Sequence, residues 1–212
     1  MVLFDAQVLD RLGVGLGTLP AYVTLIVGPI QQGDCKCEAA GHTNCASAGE
    51  HQNMKSALFV DFDNVFSQLR QLQPDAAERF ARHPSEWIGW LTSSLPLPEP
   101  HEEGERRRLL VRRCYLNPNW YQQYRHAFLR AGFEIVDCPP VTSQGKTSTD
   151  IHMVLDIVDL LQHETRCDEF IVFSADADFT PVLRKLRRYD RRTTVLAIGS
   201  RRPLIRPLQI YS

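Results

Sequence analysis

No apolar run in this sequence is long enough to cross a membrane. The longest spans residues 19–30 and is interrupted by two prolines, so it falls short of the about 20 apolar residues that a spanning helix needs. A basic segment of the kind that begins a signal peptide is also lacking, since Asp5 and Asp10 outweigh Arg11. We therefore expect a cytoplasmic protein with no membrane partner.

The sequence also has almost no net charge, but its charges are unevenly distributed. Lys and Arg total 24 against 25 Asp and Glu, which leaves a formal charge of −1. Residues 1–54 carry 2 basic and 5 acidic side chains, residues 55–178 carry 13 and 19, and residues 179–212 carry 9 and 1. An acidic body followed by a basic stretch is suited to binding cations at one place and phosphates at another.

Nor does the composition fit a disordered chain, a collagen-like repeat or a disulfide scaffold. Hydrophobic residues make up 43% and charged residues 23% of the chain, which is typical of a globular protein. The 212 residues suffice for one buried core with an appendage. Three of the six cysteines lie inside or beside apolar segments, where we expect free, buried thiols.

Strand and helix patterns alternate from residue 57 onwards. The predicted strands cover residues 58–62, 109–116, 133–137, 169–174 and 193–198, and the predicted helices cover 65–72, 76–95 with a break at Pro84, 120–131, 149–163 and 179–189. The alternation predicts βαβ units, and hence a parallel sheet with helices on both faces. We expect this domain to cover residues 54–198. Residues 1–53 are expected to be a poorly ordered extension and residues 199–212 an irregular tail, as in a truncated chain.

Acidic residues follow two of the predicted strands and begin one helix. Asp61 and Asp63 end the first strand, Asp176 and Asp178 follow the fourth, and Asp150 lies in the first turn of the helix that leads to it. Sites in open parallel sheets form at the carboxyl ends of strands. Clustered carboxylates need a compensating cation, and hard oxygen ligands without His or Cys suit Mg²⁺ or Mn²⁺.

The helix that carries Asp150 has a predicted buried face. That face consists of Ile151, Val154, Leu155, Val158 and Leu161. Asp156 and Asp159 project away from it, so we expect them to be solvated or structural.

Three segments carry a resemblance to a known family. They are Leu58-Phe59-Val60-Asp61-Phe62-Asp63-Asn64, Gly145-Lys146-Thr147-Ser148-Thr149-Asp150-Ile151 and Ile171-Val172-Phe173-Ser174-Ala175-Asp176-Ala177-Asp178-Phe179. Together they resemble the NYN domain family, in the LabA-like branch of the PIN-like ribonucleases. The match runs from about Met54 to Ala197.

The resemblance implies a three-layer PIN-like α/β fold with a central parallel five-stranded sheet of order 3-2-1-4-5. It also implies an enzyme that hydrolyses RNA phosphodiester bonds with Mg²⁺ or Mn²⁺. The residues that match the family's catalytic positions are Asp61, Asn64, Asp150, Asp176 and Asp178. The four aspartates among them are the implied metal ligands, with Asp63 as a weaker candidate, and Ser174 is expected to orient a carboxylate.

Basic and aromatic side chains outside the acidic cluster are candidates for RNA binding. The basic candidates are Arg184, Lys185 and Arg188, after the last acid pair, and Arg112, Arg113 and Lys146, near other strand ends. We expect them to contact the phosphates of single-stranded RNA. Trp120, Tyr121 and Tyr124 have rings on which bases can stack, but we expect at least two of them to pack in the core.

Two other functions fit parts of the sequence. An apolar strand followed by Asp61-x-Asp63 also begins the nucleophile motif of haloacid-dehalogenase-like phosphatases, although Asn64 stands where glycine is usual in that family. A catalytically silent module that binds RNA or regulates a partner is the other alternative, and the intact set of acids argues against it. The sequence leaves the oligomeric state open, and a homodimer is compatible with it.

Overall fold

The computed structural model describes residues 2–4, 21–27, 53–98, 101, 103–139 and 148–200. The strands are β1 (Val2–Phe4), β2 (Ala21–Val27), β3 (Asn53–Asp61), β4 (Arg106–Leu116), β5 (Glu134–Asp137), β6 (Glu169–Phe173) and β7 (Arg192–Ser200). The helices are α1 (Phe62–Leu72), α2 (Pro74–Arg82), α3 (Pro84–Ser93), α4 (Pro118–Arg130), α5 (Thr149–Gln162) and α6 (Thr180–Arg188), with a 3₁₀ turn at Ala177–Phe179. No helix among these residues is long and apolar enough to cross a membrane.

The sheet confirms the predicted fold class. Its seven strands lie in the order β1-β2-β7-β6-β3-β4-β5, and β3 to β7 are all parallel to their neighbours within that set. Numbered along the chain, these five strands have the order 3-2-1-4-5, as predicted.

Two further strands extend this sheet at the β7 edge. β2 pairs antiparallel with β7, from Ala21 opposite Ser200 to Val27 opposite Thr194, and β1 pairs with β2. Both strands come from the segment predicted to be a poorly ordered extension. The rest of that segment, residues 1 and 5–20 and 28–52, and the tail at 201–212 lie outside the described residues. The predicted domain boundaries therefore stay a prediction.

The central strand β3 divides the core into two layers. Its side chains alternate between the two faces of the sheet: Leu58 and Val60 pack with α1 to α4, whereas Ala57 and Phe59 pack with α5 and α6. Helices therefore cover both faces, which makes a three-layer fold. Three cysteines, Cys114, Cys138 and Cys167, are free and buried, as expected.

A buried ion pair ties four strands together at the amino end of the sheet. Glu169 of β6 and Arg107 of β4 are both fully buried, with Nε 2.7 Å from Oε2. The Glu169 carboxylate also accepts hydrogen bonds from Ser56 of β3 and Thr194 of β7, each at 2.7 Å. Nη2 of Arg107 donates to the other oxygen of Glu169 at 3.0 Å, and Nη1 and Nη2 also donate to backbone carbonyls in the last turn of α3 and just after it, including that of Leu91. Side chains from β3, β4, β6 and β7 thus form the hydrogen bonds that the two buried charges require.

The buried face of α5 differs from the predicted one. Met153, Ile157 and Leu161 are buried, whereas Ile151 and Leu155 are 64% and 56% exposed. The prediction for Ile151 and Leu155 was wrong because apolar residues occur around most of this helix, so its periodicity does not single out one face. Contact with the sheet selects the face.

Removing Arg107 should destabilise the whole domain. Arg107→Ala leaves the Glu169 carboxylate buried without its cation, and such losses cost about 3–5 kcal/mol. Arg79→Ala is the control, because Arg79 forms an ion pair with Glu86 at the surface, where removal should change little. Urea unfolding of both variants measures the difference, and equal losses would contradict a structural role for the buried pair.

Candidate active site

Asp61 occupies the carboxyl end of the central strand and is only 4% exposed. The chain passes from β3 directly into α1, so Asp61 is also the N-cap of that helix, a position that favours aspartate. Its Oδ1 accepts a hydrogen bond from the backbone N–H of Asn64 at 3.2 Å. Its Oδ2 accepts one from the hydroxyl of Ser174 at 3.1 Å. Both oxygens of Asp61 are therefore oriented by the protein.

A hydrogen-bond network joins Asp61 to the loop after β6. The side-chain oxygen of Asn64 accepts from the backbone N–H of Ala175 at 3.2 Å and from Gln68 Nε2 at 2.8 Å. The Ser174 hydroxyl oxygen accepts from the backbone N–H of Asp176 at 3.2 Å. Asn64 thus bridges the first turn of α1 and the loop that leads to the second pair of acids.

Asp63 is held by a residue that the sequence analysis missed. Its Oδ1 accepts from the backbone N–H of Asn117 at 3.1 Å, directly after β4. Asn117 is fully buried, and its own Oδ1 caps α4 by accepting from the N–H of Asn119 at 3.0 Å. The signal was present in the sequence, since asparagine followed by Pro118 at the end of an apolar strand is typical of a helix start.

Burial raises the pKa of two carboxylates at this edge. Burial raises the pKa of Asp61 to about 7, and the negative charges of Asp150 and Asp63 add to the effect against the hydrogen bonds from Asn64 and Ser174. Burial likewise raises the pKa of Asp63 to about 6, opposed by the hydrogen bond from Asn117. The fold therefore brings Asp61, Asp63 and Asp150 close enough for their charges to interact. A cation here would offset the cost of ionising them.

The second acid pair, Asp176 and Asp178, is linked to Asp61 by hydrogen bonds through the Ser174 hydroxyl. Asp176 is half-buried, and its Oδ1 accepts from the backbone N–H of Asp178 at 2.9 Å, which caps the 3₁₀ turn. Asp178 is exposed. Across the described ranges, no group of three or more His, Cys, Asp or Glu side chains is close enough to hold a metal ion.

The four predicted ligands, Asp61, Asp150, Asp176 and Asp178, nevertheless suit Mg²⁺ or Mn²⁺ chemically. Their donor atoms are all hard carboxylate oxygens. Asp61 uses two of about four lone-pair sites on its carboxylate for the bonds already described. Ligation by the four predicted aspartates stays a prediction.

The predicted RNA-binding arginines of β4 have partners within the protein. Arg112 donates to the carbonyl oxygen of Ala131 at 2.9 Å. Arg113 forms ion pairs with Glu134 at 2.8 Å and with Asp156 at 3.2 Å. Asp156 is accordingly structural, as expected.

The predicted basic residues of α6 lie along a helix that leads away from the acids. Arg184 and Arg188 are exposed and Lys185 is half-buried. At 1.5 Å per residue, Arg188 lies about 12 Å along the helix from Thr180, where α6 begins beside the 3₁₀ turn. Lys146 lies outside the described residues.

The three aromatic candidates of α4 separate into two groups. Tyr124 is 3% exposed, and Tyr121 packs against the core that contains Phe62 and Phe66. Trp120 is 57% exposed. The expectation that at least two of the three pack in the core is confirmed.

The parallel sheet of order 3-2-1-4-5 is consistent with a PIN-like α/β fold. The NYN domain family matches residues 55–208, so this chain belongs to the NYN domain family, within the PIN-like superfamily. Domains of this family are in general nucleases. The chain is also similar to the crystal structure of a protein of unknown function from Vibrio parahaemolyticus, with 20% identity, coverage of 70% of this chain and 83% of that chain, and a TM-score of 0.47. No curated protein matches it.

The raised pKa of Asp61 predicts a pH dependence of stability. Between about pH 4 and pH 7 the folded protein holds a proton on Asp61 that the unfolded chain has released, so the free energy of unfolding should fall as the pH rises and level off above pH 7. Asp61→Asn removes this titrating group. The decrease in the free energy of unfolding between pH 5 and pH 8 should therefore be smaller by about 2 kcal/mol.

Urea unfolding at several pH values in EDTA measures the effect. Asp159→Asn is the matched control, since Asp159 is an exposed aspartate of α5, and it should retain the wild-type profile. Identical pH profiles for wild type and Asp61→Asn would contradict a buried Asp61 with a raised pKa.

Proposed function

We propose that this NYN domain is a ribonuclease that hydrolyses RNA phosphodiester bonds with Mg²⁺ or Mn²⁺. The observation that carries the proposal is the carboxylate of Asp61, which is 4% exposed at the carboxyl end of the central strand and has its two oxygens held by Asn64 and Ser174. A buried carboxylate is costly to ionise unless it serves a bound cation or a reaction, and the negative charge of Asp150 adds to that cost. Family membership supports a nuclease as that function.

The proposed metal ligands are Asp61, Asp150, Asp176 and Asp178. A divalent ion bound by them would supply positive charge to the phosphodiester and to the attacking water. The Ser174 hydroxyl and the Asn64 N–H each hold one oxygen of Asp61, which would keep the carboxylate in a single orientation. Such outer contacts commonly tune metal sites.

We assign Asp63 a supporting role. One of its oxygens accepts from the backbone N–H of Asn117, which ties the first turn of α1 to the junction of β4 and α4. This bond would hold the two strand ends in place beside the reacting phosphate.

The proposed substrate is single-stranded RNA. Arg184, Lys185 and Arg188 of α6 and Lys146 remain candidates for contacts to its phosphates. Arg112 and Arg113 are not included in this surface, because both are engaged by protein acceptors. A cytoplasmic location and a homodimer stay predictions.

Membership of the NYN family favours a nuclease over a haloacid-dehalogenase-like phosphatase. A catalytically silent RNA-binding module is distinguished by the activity assay that follows. Such a module would bind RNA without cleaving it, whether or not Mn²⁺ is present.

Cleavage of RNA should depend on a divalent ion and on Asp61. We expect the full chain to cleave an end-labelled single-stranded RNA with Mn²⁺ and not with EDTA. Asp61→Asn should lower the rate by at least about 100-fold, since loss of a direct ligand should cost no less than loss of an outer contact. Asp159→Asn, on the exposed face of α5, should cleave at the wild-type rate. Undiminished cleavage by Asp61→Asn would rule out the proposed site.

Mn²⁺ should also stabilise the folded protein. An ion at 100 times its Kd adds about 2.7 kcal/mol to the free energy of unfolding, which for a chain of this size corresponds to a rise in Tm of about 5 °C or more. Thermal unfolding with and without Mn²⁺ measures this rise. Asp61→Asn should abolish the rise and Asp159→Asn should keep it. The same rise in Asp61→Asn would place the ion elsewhere.

A further inference from the structure

We propose that Trp120 is the platform on which an unpaired base of the substrate strand stacks, so that the site selects single-stranded RNA. The proposal deepens the proposed ribonuclease function and rests on it. The indole is 57% exposed. It is the most exposed aromatic ring in the described part of the chain, where the two other tryptophans, Trp87 and Trp90, pack in or against the core.

Hydrogen bonds place Trp120 at the acidic edge of the sheet. It lies in the first turn of α4, where its backbone N–H donates to the carbonyl oxygen of Asn117 at 3.2 Å. The backbone N–H of Asn117 in turn donates to Asp63. Because Asn117 directly follows β4, the turn that carries Trp120 begins at the same carboxyl edge as Asp61.

Ring contacts lead from the same indole to the residue that follows Asp61 in the chain. The rings of Trp120 and Tyr121 meet edge to face, with centroids 6.3 Å apart. The Tyr121 ring lies 5.0 Å from that of Phe62, the residue that follows Asp61. Two ring contacts therefore separate the exposed indole from the neighbour of the central carboxylate.

The backbone of α4 sets Trp120 apart from the rest of the helix. Tyr121 has non-helical angles, φ −122° and ψ 15°, so the first turn is kinked relative to the turns that follow. The side chains of Tyr124 and Phe128 beyond the kink are buried. The kink therefore separates a turn with an exposed aromatic ring from a helix whose aromatic rings form the core.

Stacking suits the first turn of α4 because its indole is exposed while the rings of Tyr124 and Phe128 are buried. The nearest arginine of the same helix, Arg125, is paired with Asp137, and the charge of the exposed Arg70 acts on the adjacent Tyr121. A base stacked on the indole would therefore lie beside a cation that can meet its phosphate. A base presents its π face to a ring only when it is not stacked inside a duplex, so the contact would favour an unpaired strand.

The test measures RNA binding in EDTA by the full chain, with the integrity of the RNA checked on a gel. Single-stranded RNA should quench the tryptophan emission of the wild type, and the same strand annealed to its complement should not. Trp120→Ala should weaken binding roughly 5- to 100-fold, the range for loss of one stacked base. Trp120→Phe keeps a ring, so it should bind within about threefold of the wild type but lose the quenching.

Leu129→Ala is the matched control. Leu129 is an apolar residue of α4 that is 46% exposed, and it lies at the opposite end of that helix from Trp120. Its removal should leave RNA affinity unchanged. Circular dichroism and Tm of each variant confirm that the fold is intact.

The outcomes separate the stacking role from the nuclease activity. Trp120→Ala that binds as tightly as the wild type, or a duplex that quenches as strongly as the single strand, would overturn the stacking role even if Mn²⁺-dependent cleavage is found. Binding that depends on Trp120 without any cleavage by the wild type would overturn the nuclease and leave the stacking role intact.

Discussion

The buried pair of Glu169 and Arg107 constrains the register on which the rest of the sheet depends. Two buried charges are stable only when all their hydrogen bonds are made. A shift of one residue in the register between the strands would break those hydrogen bonds. Ser56 on β3 donates to Glu169 on β6. At the other end of the same two strands the roles reverse, and Ser174 after β6 donates to Asp61 on β3. The strand register fixed at the amino end of the sheet thus determines the contact between Ser174 and Asp61 at the carboxyl end.

The two ends of the sheet place carboxylates in opposite electrostatic surroundings. Glu169 is buried with a cation and two hydroxyl donors. Asp61 is buried with a hydroxyl, a backbone N–H and the negative charge of Asp150, so its pKa rises to about 7. Glu169 therefore serves stability, whereas ionising Asp61 has a cost that a bound proton or a bound cation would offset. A buried carboxylate with a raised pKa at a strand end is a physical reason to expect chemistry at that edge.

Much of this arrangement could be predicted from the sequence, and the exceptions have physical causes. The parallel sheet was predicted from alternating strand and helix patterns, its strand order was implied by the family resemblance, and Asp61 was expected at a strand end. The pair Asn117-Pro118 indicates a helix start, but the contact between the backbone N–H of Asn117 and Asp63 was missed because it joins two distant elements and no local pattern reports such a contact. The buried face of α5 was misjudged at Ile151 and Leu155 because apolar residues surround the helix.

By itself, the sequence determined the alternation of strands and helices from β3 to β7, and that acids follow the ends of β3 and β6. These properties depend on local periodicity and on the order of elements along the chain. Only the tertiary structure decided that Arg113 serves Glu134 and Asp156, that Asn117 holds Asp63 and that Trp120 stays exposed. Those outcomes depend on which side chains from distant segments are neighbours in the folded protein, and packing in three dimensions decides that.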